Sequence, residues 1–365
     1  MTDASSASSF ADERLAAHRW AADLAGLLWP ERLRRVQEDR TFAAPSFIEL
    51  SISLGRDFGF SPLDRRRWAQ LAVEAAVRGR SRRAAELEPL AWAVLGTAHR
   101  VLGDLSSSGA AFRRCQALRH RIRDPLEFAD SCWLQAVYCT EVAYWLSIAG
   151  WAGEMGPHGR RALVTAAELI DEALRLAAPR AEPKIVGSYE ITAGTIARRA
   201  GRKAVAMTMV LSAMGRIDSA AEPRLGLIAG HNAAVTAADL GHLDAAMEGL
   251  LRLQRQYDLA GDAKVCFLRE RLAAGLAWAQ GHLNEAEDRF RSAREQFAKH
   301  QMLLEVADAN LSIARMAAAG GRSSTAERLV ARASRLLFAA GSPFAAHAVT
   351  RLLRGGGDLR HLGFW

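Results

Sequence analysis

The chain has 365 residues, half of them apolar and about a quarter charged, with a formal net charge of +8. That length holds two ordinary domains or one extended repeat array, and no apolar run approaches the roughly 18 residues that a membrane-crossing helix needs. The N-terminal stretch "MTDASSASSFADER" lacks the basic region and apolar core of a secretion signal, so the expectation is a cytoplasmic protein with no membrane partner.

In chain order, residues 1–9 read as a disordered Ser-rich leader and residues 10–60 as an N-terminal helical cap without a DNA-reading signature. Beyond them no stretch keeps the alternation of a strand, while Ala, Leu, Arg and Glu favour helix. In "SPLD", Ser61 offers a cap and Pro62 a first helical position. "DPLE" places Glu127 three residues after Asp124, as in a capping box. The other prolines punctuate helical segments in the same way.

Positive charge is concentrated early. Residues 1–123 hold 20 Arg and 14 acids, whereas residues 124–365 hold 28 Lys plus Arg and 26 acids. Arg65, Arg66, Arg67, Arg80, Arg82 and Arg83 form the densest clusters, followed by the run from Arg113 to Arg123. Convergent arginines would suit nucleic acid. The favoured reading is solvated helix faces in a chain with 44 Arg to 4 Lys, since no interleaved aromatics or recognition-helix motif accompany them.

Seven of nine tryptophans fall within the first 151 residues, where they either fill irregular packing gaps, the favoured reading, or line an apolar groove. The four cysteines, Cys115, Cys132, Cys139 and Cys266, form neither a disulfide framework nor a zinc motif, and read as small buried residues.

A repeat then emerges. "PLAWAVLGTAHRVLGDLSSSGAAFRRC" sets Trp92, Leu95, Gly96, His99, Gly103, Phe112 and Cys115 in series. "ARRAGRKAVAMTMVLSA", "AADLGHLDAAMEGLLRL", "AWAQGHLNEAEDRFRSA" and "MAAAGGRSSTAERLVARA" repeat one phrase with Gly201, Gly241, Gly281 and Gly321 at 40-residue intervals. Five residues after each glycine stands Ala206, Ala246, Ala286 or Ala326; four further on comes Val210, Leu250, Phe290 or Val330. Those offsets place the side chains on one helical face. The glycine turns the chain between paired helices, and neighbouring hairpins must stack to bury their apolar faces. His242 and His282 follow the glycines and read as reused turn positions rather than as ligands. Gly355, Gly356 and Gly357 open an expected flexible tail over residues 354–365 that ends in Phe364 and Trp365.

The first of these stretches is close to the tetratricopeptide pattern W-x2-L-G-x2-Y followed by A-x3-F, with His99 in place of Tyr and Ser108 in place of Ala. Together with "IAGHNAAVTAADLGHLDAAMEGLLRL" it makes the chain resemble the bacterial tetratricopeptide-repeat proteins found in regulators, in a long-repeat form. The resemblance implies an all-α chain: a right-handed α-solenoid of about seven tetratricopeptide-like hairpins over residues 61–353. In such arrays the first helix of each pair lines the inner surface. Carried over by register, the resemblance implies that Arg100, Arg198, His231, Asn232, Arg271 and Arg315 meet a protein or peptide partner. Arginine there suits an acidic or carboxylate feature, and the Asn232 amide suits a peptide backbone.

No phosphate-binding loop, zinc-protease, serine-hydrolase or dinucleotide motif occurs. The expected function is therefore a non-enzymatic interaction scaffold or adaptor without cofactor or metal. The alternative is nucleic-acid binding through the Arg-rich N-terminal face.

Overall fold

The computed structural model describes residues 3–57, 59–148, 156–259, 263–300 and 302–354. Every regular element among them is a helix, and none of these helices is long and apolar enough to cross a membrane. The chain divides into two compact units, Met1–Gln135 and Ala136–Trp365.

The first unit contains α1 (Asp3–Ala25), α2 (Trp29–Glu38), α3 (Pro45–Arg56), α4 (Pro62–Arg78), α5 (Arg82–Val101) and α6 (Leu105–Leu118). Helix α1 spans most of the stretch expected to be a leader. Helix α7 (Pro125–Ile148) begins in this unit and ends in the next. Caps follow the sequence closely. Ser61 Oγ accepts from the Asp64 amide at 3.1 Å, and Asp124 Oδ1 accepts from the Leu126 and Glu127 amides at 2.7 and 3.1 Å. Glu127 itself accepts from Arg83, so the expected capping box gives way to a tertiary ion pair.

The second unit continues with α8 (Pro157–Ala177), α9 (Pro183–Arg199), α10 (Lys203–Arg216), α11 (Pro223–Asp239), α12 (Leu243–Leu259), α13 (Ala263–Ala279), α14 (Leu283–Lys299), α15 (Leu303–Ala319), α16 (Ser323–Ala339) and α17 (Pro343–Arg354). From α8 to α17 each helix packs on the next. The expected tail lies outside the described residues beyond Arg354. Seven of these seventeen helices start on proline, where its fixed φ and missing N–H cost nothing.

The 40-residue period now has a physical origin. Helices α11 to α16 are each 17 residues long, and three residues separate each from the next, so a hairpin plus its links repeats every 40. Helix α10 has only 14 residues, and a longer link to α11 keeps the register.

Within each hairpin the turn is left-handed at glycine: φ is 76° at Gly201, 83° at Gly241, 84° at Gly281 and 74° at Gly321. The amide after the glycine reaches back to the carbonyl five residues earlier, Arg202 to Ala197 at 2.8 Å, His242 to Ala237 at 2.9 Å and His282 to Ala277 at 2.8 Å. This is the Schellman closure of a helix C-terminus. It explains why residues after the glycine recur without sharing a ligand.

The repeated apolar positions form the seams. Ala206, Val210, Ala246, Leu250, Ala286, Phe290, Ala326 and Val330 are all buried, and burying each larger side chain contributes about 1.5–3 kcal/mol. Small residues on the facing helix allow the approach. A Cβ at Gly96 would lie 2.9 Å from Phe112 Cε2, and one at Gly194 would lie 2.8 Å from Val210 Cγ2. Cys115, Cys132 and Cys139 are buried, and burial pushes the Cys115 thiol up to about 11. Of the early tryptophans, Trp68 and Trp145 are buried, and Trp20 meets Phe42 edge-on at 5.9 Å. Cys266 and Trp151 lie outside the described side chains.

Candidate functional site

Apolar seams account for one side of each first helix in the second unit. Several polar residues of α9, α11, α13 and α15 meet across neighbouring helices. Arg198 on α9 pairs with Asp239 on α11 at 3.0 Å, and Lys203 donates to the Asp239 carbonyl. Arg271 on α13 pairs with Asp308 on α15 at 2.9 Å. Asp308 also accepts the hydroxyl of Tyr144, which α7 brings in from 164 residues away. The Arg199 guanidinium lies over the Tyr144 ring, 4.4 Å from its centroid.

Low-dielectric surroundings shift these groups in ways their neighbours explain. The Asp308 charge holds the Arg271 guanidinium above its ordinary range. Burial, and then the neighbouring Arg198 charge, pulls Arg199 down to about 10. Burial and the adjacent Asp308 push the Tyr144 phenol upward.

A cavity of about 210 Å³ opens beside this cluster; its polar lining includes Arg198, Arg199, His231, Asn232, Tyr257 and Arg271, with Leu227 and Leu272 among the apolar residues. His231 Nδ1 sits 2.7 Å from the Tyr257 hydroxyl. Burial, reinforced by the charges of Arg271 and Arg198, drives the imidazole down to about 3, so the ring is neutral at physiological pH. Asn232 is half-engaged: its Nδ2 donates to the Ile228 carbonyl of its own helix at 2.9 Å, and its Oδ1 accepts from Thr195 at 3.4 Å.

Of the six residues carried over by register, the structure brings four together: Arg198, His231, Asn232 and Arg271. Arg315 stands on α15 at 6.0 Å from the Trp278 ring, and burial pulls it down to about 10, but it does not line the cavity. Arg100 belongs to α5 in the other unit. Sequence reasoning missed Arg199, Asp239, Asp308, Tyr144 and Tyr257. Only Arg199, next to a register position, carried a local signal.

The arginines of the first unit are dispersed over different tasks. Arg65 is buried, with Nε 3.3 Å from the Gly55 carbonyl. Arg66 is partly buried on the same helix. Arg67 pairs with Asp64 at 3.0 Å, and Arg82 with Glu86 at 2.9 Å. Arg83 joins α5 to α3 and α7 through Glu49, at 2.9 Å, and Glu127. Arg80 is exposed.

No known protein family matches this sequence, and no curated protein matches it. Solved structures with TM-scores above 0.5 share the fold. A Rap protein complexed with competence and sporulation factor aligns with a TM-score of 0.64 at 11% identity, over 87% of this chain and 85% of that one. Aspartyl phosphate phosphatase F from Bacillus subtilis aligns with a TM-score of 0.51 at 10% identity, over 100% of this chain and 96% of that one. A signal-transduction ATPase with a tetratricopeptide-repeat sensor from Pyrococcus horikoshii gives a TM-score of 0.42 at 14% identity, over 88% of this chain and 48% of that one. The protein is an all-α repeat protein of tetratricopeptide-like hairpins.

Proposed function

We propose that this chain is a non-enzymatic adaptor of a bacterial regulatory pathway, holding a peptide or protein segment against the first-helix face of its second unit. One observation carries the reading: successive first helices converge Arg198, His231, Asn232 and Arg271 on a single cavity. Convergent polar groups around a partly apolar cavity are the usual make-up of a binding site. The Rap neighbour holds a second molecule, competence and sporulation factor, which agrees with a ligand-holding use of this fold. The arginines select an acidic or carboxylate feature, because guanidinium forks match carboxylate geometry.

The test is partner capture from the native host by the full chain and by an Asn232→Ala/Arg271→Ala variant, with far-UV circular dichroism confirming that the variant folds. Loss of the partner by the variant is expected. Equal recovery by both moves the site off this face. Micromolar binding of duplex DNA at about 0.15 M salt would instead favour the arginines of the first unit.

A further inference from the structure

Three guanidiniums, those of Arg198, Arg199 and Arg271, line the cavity, and no carboxylate is among its lining residues. Arg198 and Arg271 each have a carboxylate in direct contact, Asp239 at 3.0 Å and Asp308 at 2.9 Å. Arg199 borders the same cavity, yet what it faces is the Tyr144 ring. A ring face attracts a cation through its quadrupole but supplies no in-plane oxygen for the guanidinium fork. Arg199 Nε is buried without a hydrogen-bond acceptor, as is Arg198 Nε, which costs free energy, but Arg198 has Asp239 on another of its nitrogens. The neutral His231 adds no further charge to the balance.

We infer that Arg199 is the receiving charge of an anion subsite, and that this cavity takes one carboxylate or phosphate group at the end of a ligand. Size supports a terminal group. At about 210 Å³ the space falls below the roughly 300–1,000 Å³ that encloses a whole small-molecule ligand. Arg198 and Arg271 are held in place by their own aspartates, so the incoming anion completes Arg199 instead of displacing Asp239 or Asp308. The inference rests on the first-helix face being the ligand-holding face, and it names the group that face reads and the residue that reads it.

Titration calorimetry on the full chain tests it with three probes: acetyl-alanyl-alanine as the free acid, the same dipeptide as its amide, and inorganic phosphate. Saturable binding of the free acid or of phosphate, with none of the amide, is expected. Saturation by the acid alone identifies a peptide terminus or acidic side chain as the source, and saturation by phosphate alone identifies a phosphorylated ligand. Arg199→Gln should weaken binding at least tenfold, about 1.4 kcal/mol. Arg199→Lys, which keeps the charge and loses the fork, should weaken it severalfold, and it serves if the Gln variant fails to fold. Exposed Arg113→Gln should change nothing. The inference is overturned if neither anion saturates, if the amide binds as well as the acid, or if Arg199→Gln binds like the unmodified chain. Partner capture that survives in the unmodified chain while these small anions fail removes the subsite and leaves the adaptor reading standing.

Discussion

Arg271 and Tyr144 share one acceptor: the Asp308 carboxylate pairs with the guanidinium at 2.9 Å and accepts the phenol hydroxyl on its other oxygen. The arrangement ties α7, α13 and α15 together through a single side chain that is 14% exposed.

Asp308→Asn should therefore destabilise the second unit by about 2–3 kcal/mol, because it leaves the Arg271 charge without its counter-ion. Chemical denaturation of Asp308→Asn, Arg271→Gln and the double variant checks this. The double variant should cost less than the sum of the singles.

Gly281 turns the chain at φ 84° with nothing within 4 Å of the place a Cβ would take. Gly281→Ala should cost about 1–2 kcal/mol for backbone conformation alone. Gly281→Asn should cost less, since Asn tolerates the left-handed region. Equal melting temperatures for all three chains would show that the turn does not enforce glycine.

His231 gives the second unit an acid sensitivity. Its folded pKa lies near 3, below the ordinary 6.5, so between those values the unfolded chain binds a proton that the native state does not. Stability is complete above about pH 6.5 and falls as the pH drops towards 3. After allowance for the partial exposure of the ring, the loss should be on the order of 2 kcal/mol. Denaturant titrations at several pH values should show a shallower acid slope in His231→Gln than in the unmodified chain.

Arg83 binds Glu49 and Glu127 on two different helices. A lysine there keeps the charge but cannot present a fork to both carboxylates. Arg83→Lys should cost about 1 kcal/mol, limited by the partial exposure of the site, and thermal unfolding should detect it in the first unit.

The sequence alone determined the repeat. Helix starts were legible because proline fixes φ at a first helical position and appears there from Pro45 to Pro343. The turns were legible because only glycine adopts the left-handed conformation cheaply, which pins Gly201, Gly241, Gly281 and Gly321 to one place in each hairpin. The seams were legible because small and large apolar residues recur at helical offsets, and positions such as Ala286 and Phe290 are buried as that spacing requires. All of these are short-range rules, written within one hairpin.

What only the tertiary structure decided is which polar groups meet. Register placed Arg198, His231, Asn232 and Arg271 on the same kind of position, but it carried no information about Asp308 or about Tyr144 on α7. It gave equal standing to Arg315, which faces Trp278, and to Arg198, which faces Asp239. A long flexible side chain takes its partner from whichever helix stacking brings within reach. Stacking is a sum over many seams, so no single stretch of sequence records which carboxylate an arginine will find.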